Sequence, residues 1–188
     1  MSKPRLVITL GDPAGIGTEV ILKALDDRSL VADDPTLIGN LDLLNARYEQ
    51  LRQQIPSMIE LANPADLNII DVPLSQSIRD GVKVGQGNAA SGAASFAYLD
   101  LAIDRTLAGE FEAIVTAPIA KSAWLAAGHH FPGQTELLVL KAKLDRFGMM
   151  FVGVSPHTRL KLRVLFVPAH IPLTQVSQDL TPALLSLK

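Results

Sequence analysis

The fold class is decided by Arg5-Leu-Val-Ile-Thr-Leu10 and the stretch that follows it, Gly11-Asp-Pro-Ala-Gly-Ile-Gly17. The first part is short, apolar and rich in β-branched residues, so it predicts a buried strand. The second part is a glycine-rich turn, after which residues 18–25 carry apolar side chains at helical spacing. Because a strand, a glycine-rich turn and a helix open many α/β domains, the stretch predicts that class.

Strand and helix patterns alternate along the rest of the chain. The predicted strands cover residues 36–39, 67–72 and 113–118, and the predicted helices cover residues 41–53, 89–107, 119–127 and 134–142. The longest helix has Asn88 as its candidate N-cap and Gly109 as its stop. Small residues fill its first turns, which lets another backbone come close. Residues 81–88 hold three glycines without periodicity and are predicted to form a loop.

The pattern changes after residue 148. Residues 149–154 and 160–167 both read as strands, and the five residues Ser155-Pro-His-Thr-Arg159 connect them. This connection is too short for a parallel crossover, so an antiparallel hairpin is predicted. The predicted architecture is an α/β protein with a mixed sheet and flanking helices, whose strand order the sequence does not reveal.

Composition excludes several functional classes. The 188 residues are 48% hydrophobic and 19% charged with a net charge of −2, so nothing indicates disorder or a nucleic-acid-binding surface. The absence of cysteine excludes disulfides and thiolate metal sites and fits a cytoplasmic protein. No apolar run has the length of a signal peptide or a membrane span.

The end of the chain raises a question about completeness. Thr181-Pro182 is a helix-start signal, with Thr as N-cap and Pro at the first helical position, yet the sequence stops at Lys188. One interpretation is a frayed terminal turn. The other is that the chain has been cut inside a larger protein.

Two candidate sites follow predicted strands. The glycine turn could bring backbone amides to an anion at a helix N-terminus, but it is neither a Walker A loop nor a dinucleotide fingerprint, and a structural turn explains it equally well. Lys121 lies in the first turn after the strand in Thr116-Ala-Pro-Ile-Ala-Lys121, where α/β sheets usually build ligand sites. Its ammonium could hold a phosphate or carboxylate, or it could be a solvated surface group.

The remaining candidates are single polar residues. Gln134 and Thr135 begin a predicted helix after Pro132 and could position a polar substrate, although simple capping by Thr135 is the alternative. His170 ends an apolar run and has no histidine at paired spacing, so on spacing alone it favours a structural role. The pair His129 and His130 is predicted to be exposed in a loop.

Taken together, four segments in this order closely resemble the 4-hydroxythreonine-4-phosphate dehydrogenase family of pyridoxal phosphate biosynthesis. They are Val7-Ile-Thr-Leu-Gly-Asp-Pro-Ala-Gly-Ile-Gly17, Ile114-Val-Thr-Ala-Pro-Ile-Ala-Lys121, Phe131-Pro-Gly-Gln-Thr-Glu136 and Ala169-His-Ile-Pro-Leu173. The resemblance spans the whole chain, and four ordered motifs are far more specific than any one of them.

The resemblance implies a fold like that of the isocitrate and isopropylmalate dehydrogenases, with two α/β lobes and a cleft between them. It implies NAD(P)-dependent oxidation of 4-(phosphooxy)-L-threonine, whose β-keto acid product loses carbon dioxide. It also implies a homodimer with a shared active site and one divalent metal ion per site (zinc, magnesium or cobalt) held by three histidines. Such an ion would polarise the reacting hydroxyl.

Carried over by motif, His170 matches a metal ligand and Thr135 matches a substrate-contacting threonine. Gln134 stands where many family members have histidine, which replaces a titratable donor by a neutral amide. Asp12 and Lys121 lie in family motifs and are assigned loosely to the cleft.

Family members are longer than this chain, and the resemblance places the other metal ligands, the phosphate-binding residues and much of the NAD site beyond Lys188. Residues 1–188 are therefore expected to be the amino-terminal part of a two-lobed dehydrogenase, one lobe and part of the other, and to be catalytically defective alone. Two alternatives stay open: a related dehydrogenase of another hydroxy acid or diol, and a non-catalytic fragment.

Overall fold

The structure, a computed structural model, describes residues 3–27, 35–56, 59–167, 171–182 and 184. The chain divides into two compact units, Met1–Lys141 and Ala142–Lys188. The first unit holds the parallel sheet and its helices, and the second holds the hairpin.

Four strands form the sheet of the first unit. They are β1 (Leu6–Thr9), β2 (Thr36–Gly39), β3 (Ile69–Asp71) and β4 (Ala113–Thr116). All neighbours are parallel and the order is β3-β2-β1-β4, so β1 lies between β2 and β4. Each strand overlaps a segment predicted from the sequence, and the parallel arrangement follows from the helices that connect the strands.

Among the described residues, six helices and one turn of 3₁₀-helix (Pro64–Asp66) accompany these strands. The helices are α1 (Gly17–Asp26), α2 (Leu41–Gln54), α3 (Gln76–Gly81), α4 (Ala89–Leu107), α5 (Lys121–Ala126) and α6 (Gln134–Ala142). All but α3 were predicted. The short α3 ends where the predicted loop begins, and the side chain of Ser75 caps it by accepting a hydrogen bond from the amide of Ile78.

Helix α4 confirms its predicted start and its predicted close contact. Asn88 and Ser91 form a capping box, in which each side chain accepts a hydrogen bond from the other residue's amide. Gly92 on the first turns faces α5 so closely that a Cβ atom there would collide with the carbonyl group of Ala123. The small residues of α4 therefore set the distance between these two helices.

Helices lie against both faces of the sheet at β1, and one of these faces is fully buried. Val7 is fully buried, and Ile114, its partner across the ladder, packs with Leu99 and Ile103 of α4. Ile8 points to the opposite face, where α1 lies. Helix α4 thus covers one face of the sheet and α1 covers part of the other, as a parallel sheet requires.

The second unit holds β5 (Met150–Val154) and β6 (Lys161–Leu165), which pair antiparallel as predicted, and the helix α7 (Leu173–Asp179), which was not predicted. The α/β class is confirmed, but the expected mixed sheet is not, because this pair forms a two-stranded sheet of its own. A short connection predicts that neighbouring strands pair, and it carries no information about which larger sheet they join.

The structure confirms two predicted ends of helices, at Thr181 and at Gly109. The hydroxyl of Thr181 accepts a hydrogen bond from the amide of Leu184 at 3.1 Å, as its predicted capping role requires. Gly109 follows α4 with φ at +82°, the left-handed conformation expected of a helix stop.

In the part of the chain that the structure describes, no helix is both long enough and apolar enough to span a membrane.

Candidate functional site

The strand order places a topological switch point between β1 and β4. From β1 the chain adds β2 and β3 on one side, and β4 then adds on the other side. Ligands of open parallel sheets bind beyond the carboxyl ends of the strands at such a point. Asp12 follows β1 and Lys121 follows β4, so both residues assigned to the cleft from the sequence flank the switch point.

The turn after β1 is tied to the turn after β4. The amide of Asp12 donates to the carbonyl oxygen of Pro118 at 2.9 Å. Gly11 has φ at +68°, and a Cβ atom there would collide with the same carbonyl group, so only glycine fits. These contacts bring the carboxyl ends of the two strands together.

The contacts and charge of Asp12 bear on whether the glycine turn can bind an anion. Its buried carboxylate accepts a hydrogen bond from the amide of Ala14 at 2.8 Å, and its carbonyl oxygen accepts from the amide of Gly15. Two amides of the turn are therefore satisfied within it, and the negative charge of Asp12 would repel an anion. The structure favours the structural interpretation of this turn over an anion-binding one.

Gln134 approaches the switch point from α6. Its Nε2 donates to the carbonyl oxygen of Ala117 at 3.3 Å, while its Oε1 is buried and has no partner among the described residues. In the reverse orientation of the side-chain amide, Oε1 of Gln134 would face the carbonyl oxygen of Ala117, and two acceptors cannot form a hydrogen bond. The hydrogen bond therefore fixes which end of the amide is Nε2. A buried acceptor without a donor costs free energy, which makes Oε1 a natural partner for a ligand N–H or O–H.

Helix α6 is held firmly against α4. Leu137 is buried in a cluster with Leu99, Ile103 and Trp124. At the other end of α6, Lys141 forms ion pairs with Asp100 and Asp104. Partial burial of Lys141 disfavours its charge, but its hydrogen bonds to the two carboxylates outweigh that effect and raise its pKa. The position of Gln134 is therefore fixed by packing as well as by its own hydrogen bond.

Lys121 and Thr135 lie nearby and are exposed. A Cβ atom built on Gly133 would be 3.6 Å from Nζ of Lys121 and 3.2 Å from Oε2 of Glu136, so both charged groups approach Gly133. Glu136 was not singled out from the sequence as a site residue, although it ends the Gly133-Gln-Thr-Glu136 motif. The structure thus brings Asp12, Lys121 and Gln134 to the same pair of strand ends, with Thr135 next to Gln134.

His129 corrects the prediction that both loop histidines are exposed. Its ring stacks on the ring of Phe96 with centroids 3.6 Å apart and an interplanar angle of 2°. Burial lowers its pKa, and this outweighs the opposite influence of Asp100. His129 and Lys121 line an open cavity of about 390 Å³ together with the exposed His130. Phe96 lies on α4 and His129 lies in the loop after α5, so their stacking is a tertiary contact that no local sequence pattern predicts.

His170 lies outside the described residues. Within the described ranges, no group of three His, Cys, Asp or Glu side chains could hold a metal ion. The metal-ligand role expected of His170 therefore stays a prediction.

A parallel sheet with polar side chains gathered at its switch point defines an α/β domain of the class in which ligands commonly bind at this point. Comparison with known proteins identifies the family within this class. The model of the family described as pyridoxal phosphate biosynthetic protein PdxA matches residues 31–188, and the chain belongs to this family.

Several similar proteins carry the same name. The chain is 54% identical over 187 residues to a 4-hydroxythreonine-4-phosphate dehydrogenase of a Nostoc species, a match that covers 99% of this chain and 51% of the relative. A Synechocystis relative of the same name is also 54% identical, with 53% of it covered. The crystal structure of 4-hydroxythreonine-4-phosphate dehydrogenase from Klebsiella pneumoniae matches with a TM-score of 0.80 at 30% identity and covers 98% of this chain and 56% of that one. The chain thus spans about half the length of the relatives it matches.

Proposed function

We propose that this chain supplies the amino-terminal part of a dehydrogenase that oxidises 4-(phosphooxy)-L-threonine with NAD(P). The hydroxyl group on C3 would lose its proton while carbon C3 transfers its hydride to the nicotinamide, giving 2-amino-3-oxo-4-(phosphooxy)butanoate. Loss of carbon dioxide from this β-keto acid would then give 3-amino-2-oxopropyl phosphate. One lobe and part of the second would lie within residues 1–188.

The single observation that carries the proposal is the gathering of Asp12, Lys121 and Gln134 at the switch point of a chain that belongs to this family. Gln134 donates to Ala117 and keeps a buried oxygen free, so its role would be to accept a hydrogen bond from the substrate. It has no titratable proton, so it would position the substrate without taking part in proton transfer. The exposed hydroxyl of Thr135 would contact the substrate beside it.

Cofactor and subunit requirements are part of the same proposal. The nicotinamide would accept the hydride, and most of its site, like two of the three metal-binding histidines, would lie in the remaining part of the protein. His170 would provide one metal ligand, and a homodimer would share the active site. The expected compartment is the cytoplasm, in keeping with the absence of cysteine.

The test uses a joined protein, which we define as this chain continued by the part of the Nostoc relative that follows its matched segment. The joined protein and the 188-residue chain are each assayed for NADH or NADPH formation with a divalent metal ion. The substrates are 4-(phosphooxy)-L-threonine and its matched control without phosphate, 4-hydroxy-L-threonine. We expect turnover of the phosphorylated substrate by the joined protein and none by the chain alone.

Other results of these assays would favour a different function. Preference for another hydroxy acid or a diol would replace the proposed substrate by that of a related dehydrogenase. Full turnover by the 188-residue chain alone would contradict the claim that it is only part of the enzyme. A joined protein that binds neither cofactor nor substrate would favour the non-catalytic alternative.

A further inference from the structure

Asp12 keeps one carboxylate oxygen that the glycine turn does not use. The residue is 4% exposed, and its Oδ1 accepts the hydrogen bond from the amide of Ala14 at 2.8 Å. Its Oδ2 has no hydrogen-bond partner among the described residues, and it is not one of their fully enclosed unpartnered atoms. The turn therefore needs one oxygen of this side chain, and a ligand can reach the other.

The negative charge of this side chain is not balanced by a neighbour. Every ion pair recorded among the described residues involves other carboxylates. Lys121 follows β4, but its Nζ approaches Gly133, at 3.6 Å from the position of a Cβ atom there. Burial raises the pKa of Tyr98, and the charges of Asp71 and Asp12 raise it further, so this hydroxyl stays neutral. A buried carboxylate without a cation is costly, which favours a positively charged ligand.

Gly87 leaves the approach to this oxygen open. The loop of residues 81–88 is fastened to the glycine turn, because the amide of Gly85 donates to the carbonyl oxygen of Ala14 at 2.7 Å. A Cβ atom on Gly87 would lie 3.7 Å from Oδ2 of Asp12. Gly87 is exposed and has no side chain, so nothing at residue 87 covers Oδ2.

The unpartnered groups at the switch point are hydrogen-bond acceptors. Oε1 of Gln134 also lacks a partner among the described residues. Its side chain donates to the carbonyl oxygen of Ala117, and the amide of Asp12 donates to that of the next residue, Pro118. An ammonium group carries three N–H donors and a positive charge. It therefore suits this surface better than a carboxylate or a phosphate, which are acceptors themselves.

The proposed substrate carries one positively charged group, the ammonium on C2. We propose that Asp12 is a specificity-determining residue whose Oδ2 accepts a hydrogen bond from this ammonium. The inference rests on the proposed function, because it names the group of that substrate which Asp12 contacts. A hydroxy acid or diol without an amino group leaves the carboxylate buried and unpaired, so the site discriminates against it.

The experiment measures binding to the joined protein by isothermal titration calorimetry, with a divalent metal ion and without a nicotinamide cofactor. The ligands are 4-(phosphooxy)-L-threonine and its matched analogue without the amino group, 3-hydroxy-4-(phosphooxy)butanoate. Asp12→Asn keeps an acceptor for the amide of Ala14 and removes the charge. It should weaken binding of the amino substrate by about tenfold or more, and binding of the analogue by less than about twofold.

Asp71→Asn is the matched control variant. Asp71 ends β3 at the same edge of the sheet, but its carboxylate already accepts a hydrogen bond from the amide of Leu41 at 2.8 Å. This variant should change the affinity for each ligand by less than about twofold. If Asp71→Asn reduced the preference for the amino group as much as Asp12→Asn does, the negative potential of the whole edge would explain it and the proposal would be overturned.

Three further results would overturn the proposal. Asp12→Asn could weaken both ligands equally, which is the effect of a purely structural role. The wild-type joined protein could bind both ligands with equal affinity, a result that does not depend on how the variant folds, or it could bind neither.

The contact at Asp12 and the proposed function can fail separately. A preference for the amino substrate that Asp12→Asn abolishes, without any dehydrogenase turnover, would support the contact and contradict the proposed function. Turnover of the phosphorylated substrate without a preference for the amino group would support the function and contradict the contact.

Discussion

Strand β1 of the first unit and strand β5 of the second are both apolar, but their surroundings are opposite. In the first unit, Val7 of β1 is fully buried between helices. In the second unit, all residues of β5 and β6 are exposed, including Phe151 at 60% and Val152 at 63%. Helix α7 contributes no buried residue. A two-stranded sheet is marginally stable alone, so the difference teaches that an apolar strand pattern predicts a strand without predicting what covers it.

The largest difference in stability between the two units is expected from a substitution of Trp124. Its side chain is fully buried, and its Nε1 donates to Oγ of Ser95 at 2.9 Å. Trp124→Ala should lower the free energy of unfolding by about 3–5 kcal/mol in urea titrations, because it leaves a large cavity between α4 and α5. Val152→Ala in the hairpin should change it by less than about 0.5 kcal/mol. Equal losses of unfolding free energy at Trp124 and Val152 would contradict the conclusion that the first unit is tightly packed and the hairpin is not.

A smaller effect is expected at the start of α4. Asn88→Ala removes the capping box and should cost about 1 kcal/mol of stability in the same titrations. Asn88→Ser is the matched control, because its hydroxyl can still accept the hydrogen bond from the amide of Ser91 and, like alanine, it lacks the Nδ2 that donates to the carbonyl oxygen of Gly81. If both variants lose equal stability, the cap is not what stabilises the helix.

The smallest effect concerns pH. Burial holds the pKa of His129 below its ordinary value of 6.5, so the folded chain binds this proton less readily than the unfolded chain does. Its contribution to stability is therefore present above the ordinary pKa and is lost as the pH falls through and below it. Between about pH 8 and pH 5, the Tm of the wild type should fall more than that of His129→Gln. Parallel Tm curves would show that the stacking on Phe96 does not depend on the charge of His129.

Local signals predicted most of the fold. Residues 36–39 were predicted as a strand and form β2 with those bounds, and the Asn88 cap followed from residue type and spacing. Helices α3 and α7 were missed, because six and seven residues are too few for a clear period. Whether the hairpin joins the parallel strands depends on tertiary packing, which periodicity does not encode.

The candidate site was predictable only in part. Motif positions after the strands pointed to Asp12 and Lys121, and the switch point between β1 and β4 explains why both belong to one region. The contacts that define the chemistry are long-range. The hydrogen bond from Gln134 to Ala117 and the stacking of His129 on Phe96 join segments far apart in sequence, and no local pattern reports them.

The most direct test of the central claim is the steady-state kinetics of Gln134→Ala in the joined protein with 4-(phosphooxy)-L-threonine. If the free oxygen of Gln134 accepts a hydrogen bond from the substrate, kcat/KM should fall by about tenfold while the Tm stays nearly unchanged. Gln134→His, which introduces the residue that the family resemblance leads us to expect at this position, should recover most of the activity. Unchanged kinetics in Gln134→Ala would contradict the assignment of the substrate site to this end of the sheet.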